Sequence, residues 1–108
     1  VADYIEVHVT AGDRDEAGEI CRAVVGRRLA ACAQVVGPIR STYWWEGRLE
    51  EAEEWLVLLK STSARFDELA ARVREVHSYD VPEIIAVPVV AGSADYLAWI
   101  DREIASGS

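Results

Sequence analysis

The sequence predicts an α+β domain with the element order β-α-β-β-α-β-α. Three observations predict it. Tyr4 to Thr10 alternates apolar and polar side chains, the pattern of a half-buried strand. Two later stretches carry apolar residues at helical spacing instead. Between those stretches, two long extended segments meet at Glu46-Gly47-Arg48, a turn signal.

Each element has its own warrant. In the first strand Ile5, Val7 and Val9 share one side, with Tyr4, Glu6, His8 and Thr10 on the other. Gly12-Asp13 breaks it. Asp13 and Glu16 have capping-box spacing, and Ala17, Ile20, Cys21, Val24 and Arg28 then recur at helical spacing. Acids early and Arg27-Arg28 late suit the helix dipole, so this helix is expected over Asp13 to Arg28. Ala30 to Trp45 is the second extended segment, and Gly37-Pro38 within it predicts a bulge or an edge position. Leu49 to Thr62 is the third. Ser63 is expected to cap a second helix whose inner face is Phe66, Leu69, Ala70, Val73 and Val76. After the polar loop from His77 to Pro82, Glu83 to Val90 is a strand rich in Ile and Val. Gly92-Ser93 leads into a last helix with Tyr96, Leu97, Trp99, Ile100 and Ile104. The first six elements make the ferredoxin-like split βαβ arrangement, both crossover helices lying on one face of an antiparallel sheet. A single domain over residues 1–105 is expected, with a tail at 106–108.

Composition narrows the function classes. The chain has 108 residues, 51% hydrophobic, enough for a core and against disorder. Its net charge of −8 argues against a nucleic-acid partner, which needs a basic face. The longest apolar stretch falls far short of a membrane span, no secretory signal pattern opens the chain, and no membrane partner is expected. Cys21 and Cys32 lie in Ala/Val-rich settings and suggest packed thiols, hence a cytoplasmic protein. Lys60 is the one Lys, and Asn and Met are missing, which fits either a GC-rich genome or a thermophilic source.

The hairpin bears on assembly. Trp44 and Trp45 are successive strand residues and point to opposite faces, as do the apolar residues of Trp55 to Leu59. Two helices cover one side of such a sheet. The last helix covers that other side either alone, in a monomer, or only in part, and a large remaining apolar face would call for another copy of the chain; the second reading is the expectation.

The common catalytic patterns are missing from the sequence: no phosphate-binding Gly loop, no Cys-x-x-Cys, no His-Glu-x-x-His and no nucleophile elbow. The densest polar cluster is His77-Ser-Tyr-Asp-Val-Pro-Glu83, in a loop. His77 has the chemistry of a metal ligand or acid/base group, or of a cap on the second helix. Glu83 suits a ligand or a solvated strand start, and Tyr79 a cleft wall or a core lid. Lys60 suits an anion clamp or a side chain reaching the sheet end. Glu50, Glu51, Glu53 and Glu54 are expected at a solvated hairpin end.

Arg28-Leu-Ala-Ala-Cys-Ala33, Tyr43-Trp-Trp-Glu-Gly-Arg-Leu-Glu50, Leu59-Lys60, His77-Ser-Tyr-Asp-Val-Pro-Glu-Ile-Ile85 and Gly92-Ser-Ala-Asp-Tyr-Leu-Ala-Trp99 resemble the CutA divalent-cation tolerance family. The resemblance runs over nearly the whole chain. It implies a homotrimer similar in architecture to the PII signalling proteins, a role in copper and divalent-ion tolerance, and ligand clefts between subunits. Lys60, His77, Tyr79, Glu83, Tyr96 and Trp99 are the positions it places near those clefts. Of the family's proposed copper ligands only His77 is retained: the other positions are Val9 and Val76, and Ser78 replaces the usual Pro. Any Cu2+ or other divalent cation is therefore expected to bind weakly. The leading reading is a non-enzymatic metal-response, ligand-binding or signalling module. Its alternatives are an enzyme using His77, Glu83 and Lys60 in the cleft, and a structural trimer anchoring a partner protein.

Overall fold

A computed structural model describes residues 4–105. The strands are β1 (Tyr4–Ala11), β2 (Cys32–Trp45), β3 (Arg48–Thr62) and β4 (Ile84–Pro88). The helices are α1 (Arg14–Val25), α2 (Phe66–Val76) and α3 (Ala94–Ala105). One antiparallel sheet runs β2-β3-β1-β4, the order that the split βαβ arrangement requires.

Alternation builds the core as expected. Ile5, Val7, Val9 and Ala11 of β1 lie beside Val57 and Leu59 of β3, under Ala17, Ile20 and Val24 of α1 and Leu69 and Val73 of α2. The opposite face carries Tyr4, Glu6, His8 and Thr10 beside Leu56, Leu58 and Lys60. Helix α3 covers one end of that face. The Tyr4 hydroxyl donates to Asp101, and Tyr96 Oη lies 3.4 Å from Cys32 Sγ.

Several boundaries move, each for a local reason. Helix α1 begins at Arg14 because Asp13 is its cap, accepting from the Glu16 N–H at 2.7 Å. The return bond of the expected capping box comes from Gly12 N, at 3.4 Å. The helix closes at Val25, not Arg28. Arg28 turns left-handed at φ 57°, and the N–H groups of Arg28 and Leu29 bond the carbonyls of Val25 and Val24. Ser63 makes no side-chain cap; Ser63–Arg65 is a single 3₁₀ turn leading into α2. Strand β2 starts at Cys32, and β4 spans only Ile84–Pro88. The hairpin loop is Glu46-Gly47 alone, both at positive φ (49° and 77°), with Arg48 already paired to Trp45.

Gly37-Pro38 forms the expected bulge on an edge strand: Val36 pairs with Leu56 and Ile39 with Glu54, so two residues face Trp55. Glycine is needed there because a Cβ on Gly37 would lie 2.3 Å from the Trp55 ring. Beyond the bulge β2 and β3 outrun β1. Ile39–Trp45 and Arg48–Glu54 pair only with each other, making a ribbon of about 24 Å at ordinary strand rise. It lengthens the molecule to 44 × 26 × 21 Å.

Candidate functional site

The ribbon meets the α2–β4 loop at a cleft of about 580 Å³. Thr10, Ser41, Tyr43, Trp45, Glu54, Tyr79, Asp80 and Glu83 contribute to its walls. The bulge restores the ribbon's register so that Ile39, Tyr43 and Trp45 share a face with Glu54. Glu54 itself lies on the face of Leu56 and Leu58, just past the end of β1. That placement corrects the expectation of a solvated acid: Glu54 is only 7% exposed. The Tyr79 hydroxyl donates to its Oε2 at 2.9 Å. Burial, then this hydrogen bond and the nearby Glu54 and Glu16 charges, push the Tyr79 phenol well above its ordinary range, so it stays a donor.

His77 positions that loop. Its side chain is fully buried. Nε2 lies 2.7 Å from the Thr10 carbonyl, and Nδ1 accepts from Tyr79 N at 3.1 Å and lies 3.7 Å from Glu16 Oε2, a pattern that matches the Nε2–H tautomer. Its ring also packs against Tyr79, with centroids 4.7 Å apart. Glu16 completes the support by accepting from Ser78 N at 2.7 Å. Burial pushes the Glu16 carboxyl up, but hydrogen bonds from Ser78 and Gly12 outweigh it and hold the group below the ordinary range.

The expected cleft residues fall into two groups. Tyr79 and Glu83 line the cleft, with His77 behind Tyr79. Lys60, Tyr96 and Trp99 lie toward the other end of the sheet. Lys60 is opposite Glu6 in β1, four residues from Thr10, a separation of about 13 Å along the strand. There Lys60 Nζ bonds Gln34 at 2.9 Å and pairs with Glu6 at 3.3 Å, and His8 lies 2.7 Å from Glu6. The hydrogen bond with His8 leads, over a smaller opposing effect of burial, in lowering the Glu6 carboxyl, and Lys60 adds to it. Tyr96 lies beside Trp99, with centroids 5.5 Å apart, and its hydrogen bond with Cys32 is the first cause that pushes its phenol up to about 12. Within one chain His77, Glu83 and Lys60 therefore do not share a pocket.

Among the described residues the donor set offers no ready metal centre. Val9 is fully buried in the core and Val76 packs against it. Among the described residues no three His, Cys, Asp or Glu groups converge to hold an ion. Cys21 and Cys32 are free thiols and half-buried, less enclosed than expected. Sequence reasoning missed Glu54, Thr10 and Glu16. The one signal for Glu54 was its shared parity with Leu56 and Leu58.

Fold and site together define a small ferredoxin-like α+β domain with an acidic, aromatic cleft beside a projecting ribbon. The model of the CutA1 divalent ion tolerance protein matches residues 5–103. The chain belongs to that family. It is 37% identical to the divalent-cation tolerance protein CutA of Archaeoglobus fulgidus over 98 residues, covering 91% of this chain and 95% of the relative. It is 45% identical to human Protein CutA over 92 residues, 85% of this chain but only 51% of that longer relative. The solved structure of the periplasmic A. fulgidus protein superposes with a TM-score of 0.90 at 36% identity, covering 94% of this chain and 98% of that one. The Thermus thermophilus divalent cation tolerance protein gives 0.88 at 39% identity, covering 90% and 94%. The Archaeoglobus and Thermus relatives are named for divalent-cation tolerance, and none of these relatives is named for an enzymatic activity.

Proposed function

We propose that the chain acts in divalent-cation tolerance as a PII-like homotrimer, a non-enzymatic binding or signalling module with its ligand sites in clefts between subunits. The carrying observation is the ribbon. It is two-stranded, pairs with no third strand among the described residues, and exposes Tyr43, Trp44, Trp45 and Leu49, with Trp44 73% open. An isolated hairpin is marginal in water, and exposed indole on both faces favours burial against another copy. Burying the ribbon there would also enclose the adjoining cleft. Sedimentation equilibrium at micromolar concentration is expected to give three times the 11.9 kDa chain mass, and a monomer would overturn the assembly.

Copper or another divalent cation belongs to this reading as a weak ligand. His77 is the one retained family ligand position, and both its ring nitrogens already serve the fold. Calorimetric titration with copper should show weak binding, and identical isotherms for the wild type and His77→Ala would remove His77 as a ligand. The two free thiols favour a cytoplasmic setting, although the archaeal relative is described as periplasmic. Cell fractionation decides this. A thermal-shift screen in which no metal or small molecule raises the melting temperature would favour a purely structural trimer that anchors a partner protein.

A further inference from the structure

The cleft between the ribbon and the α2–β4 loop combines three properties. Its described lining residues include the acids Glu54, Asp80 and Glu83 but no Lys, Arg or His. Glu54 is more than nine-tenths buried, and no salt bridge neutralises it among the described residues. A buried carboxylate without a cation is costly, and the Tyr79 hydroxyl compensates it only as a dipole. The remaining walls include Tyr43, Trp45 and Tyr79, whose π faces attract cations.

We infer that this cleft binds a small organic cation, an ammonium or guanidinium compound, with Glu54 as its counter-ion and Tyr43, Trp45 and Tyr79 as its aromatic walls. The inference rests on reading the cleft as the ligand site and adds the class of ligand. A bare metal ion fits less well. The volume of about 580 Å³ suits an organic molecule, and no three acids converge to ion-ligating distance among the described residues. An anion is disfavoured by every charged group in the lining. The positive charge would sit against the Glu54 carboxylate, with the hydroxyls of Thr10, Ser41 and Thr42 available to a polar substituent.

The test is calorimetric titration of the intact protein with choline, and with dimethylbutanol, its neutral isostere. Choline should bind at least about tenfold more tightly, because charge and not shape is recognised. Glu54→Gln, which retains an acceptor for Tyr79, should weaken choline by about tenfold or more. Tyr43→Leu, which keeps an apolar side chain at a position outside the core, should weaken it several-fold at an unchanged sedimenting mass, and keeps the test open if Glu54→Gln does not fold. Equal affinity for the two isosteres, or choline binding indifferent to both substitutions, overturns the inference. The cation could instead be an Arg side chain of a neighbouring copy. Choline would then lower the sedimenting mass as it binds, and that outcome overturns the small-molecule assignment. If choline is silent while copper raises the melting temperature in a way that Tyr79→Phe abolishes, the ligand class fails and the cleft stands. If both are silent, the cleft reading fails with it.

Discussion

His77 shows how a loop histidine becomes structural. Sequence leaves it as ligand, catalyst or helix cap, since each needs only an imidazole near a helix end. The fold adds the Thr10 carbonyl on one side and the Tyr79 N–H on the other, and encloses the ring completely. His77→Ala leaves both backbone groups unpaired and opens a cavity. It should cost about 2–4 kcal/mol, seen as a lower urea midpoint with an unchanged slope. Two carboxylates contribute to stability on the acid side. Glu6 and Glu16 are both held below their ordinary value of 4.5. The stability they contribute is present above 4.5 and is lost as pH falls through their lower folded values. Urea unfolding across that window should show the loss, and Glu16→Gln should flatten it.

The hairpin separates two glycines that look alike in sequence. Gly47 provides a left-handed turn residue at φ 77°, with nothing near a would-be Cβ. Gly37 provides room for the Trp55 ring, which a Cβ would meet at 2.3 Å. Gly47→Ala should therefore cost about 1 kcal/mol of backbone strain. Gly37→Ala should cost more, about 1–3 kcal/mol, because a ring on the neighbouring strand must move. Thermal unfolding of the two variants checks the order, and near-ultraviolet circular dichroism should change at Trp55 only in the second. The turn and the bulge were both legible from Gly and Pro. Their different reasons were not, because neither φ nor the distance to Trp55 is written in local sequence.

At the scale of the molecule, the ribbon carries apolar side chains far from the core its own helices cover. If another chain buries it, stability and assembly are linked. The melting temperature should rise with protein concentration. Trp44→Glu should lower the sedimenting mass and abolish that concentration dependence, since a charge would then have to be buried. A melting temperature independent of concentration in the wild type, together with a monomeric mass, would show the ribbon standing free. The cleft belongs to this scale too, because its walls come from β1, the ribbon and the α2–β4 loop, which are far apart in sequence.

The sequence by itself determined the element order, the strand alternation that selects the core, the bulge, the turn, and the motifs that place the chain in its family. These are local signals, set by backbone preference and side-chain period within a few residues. Only the tertiary structure decided that Glu54 is buried, that His77 is locked as a structural prop, and that Lys60 answers Glu6 at the far end of the sheet. Each depends on which strands lie side by side and where β1 ends against β3. Burial and charge pairing are properties of neighbours in space. A glutamate in an acidic strand looks solvated until the fold brings a tyrosine from the α2–β4 loop, 25 residues on, over its carboxylate.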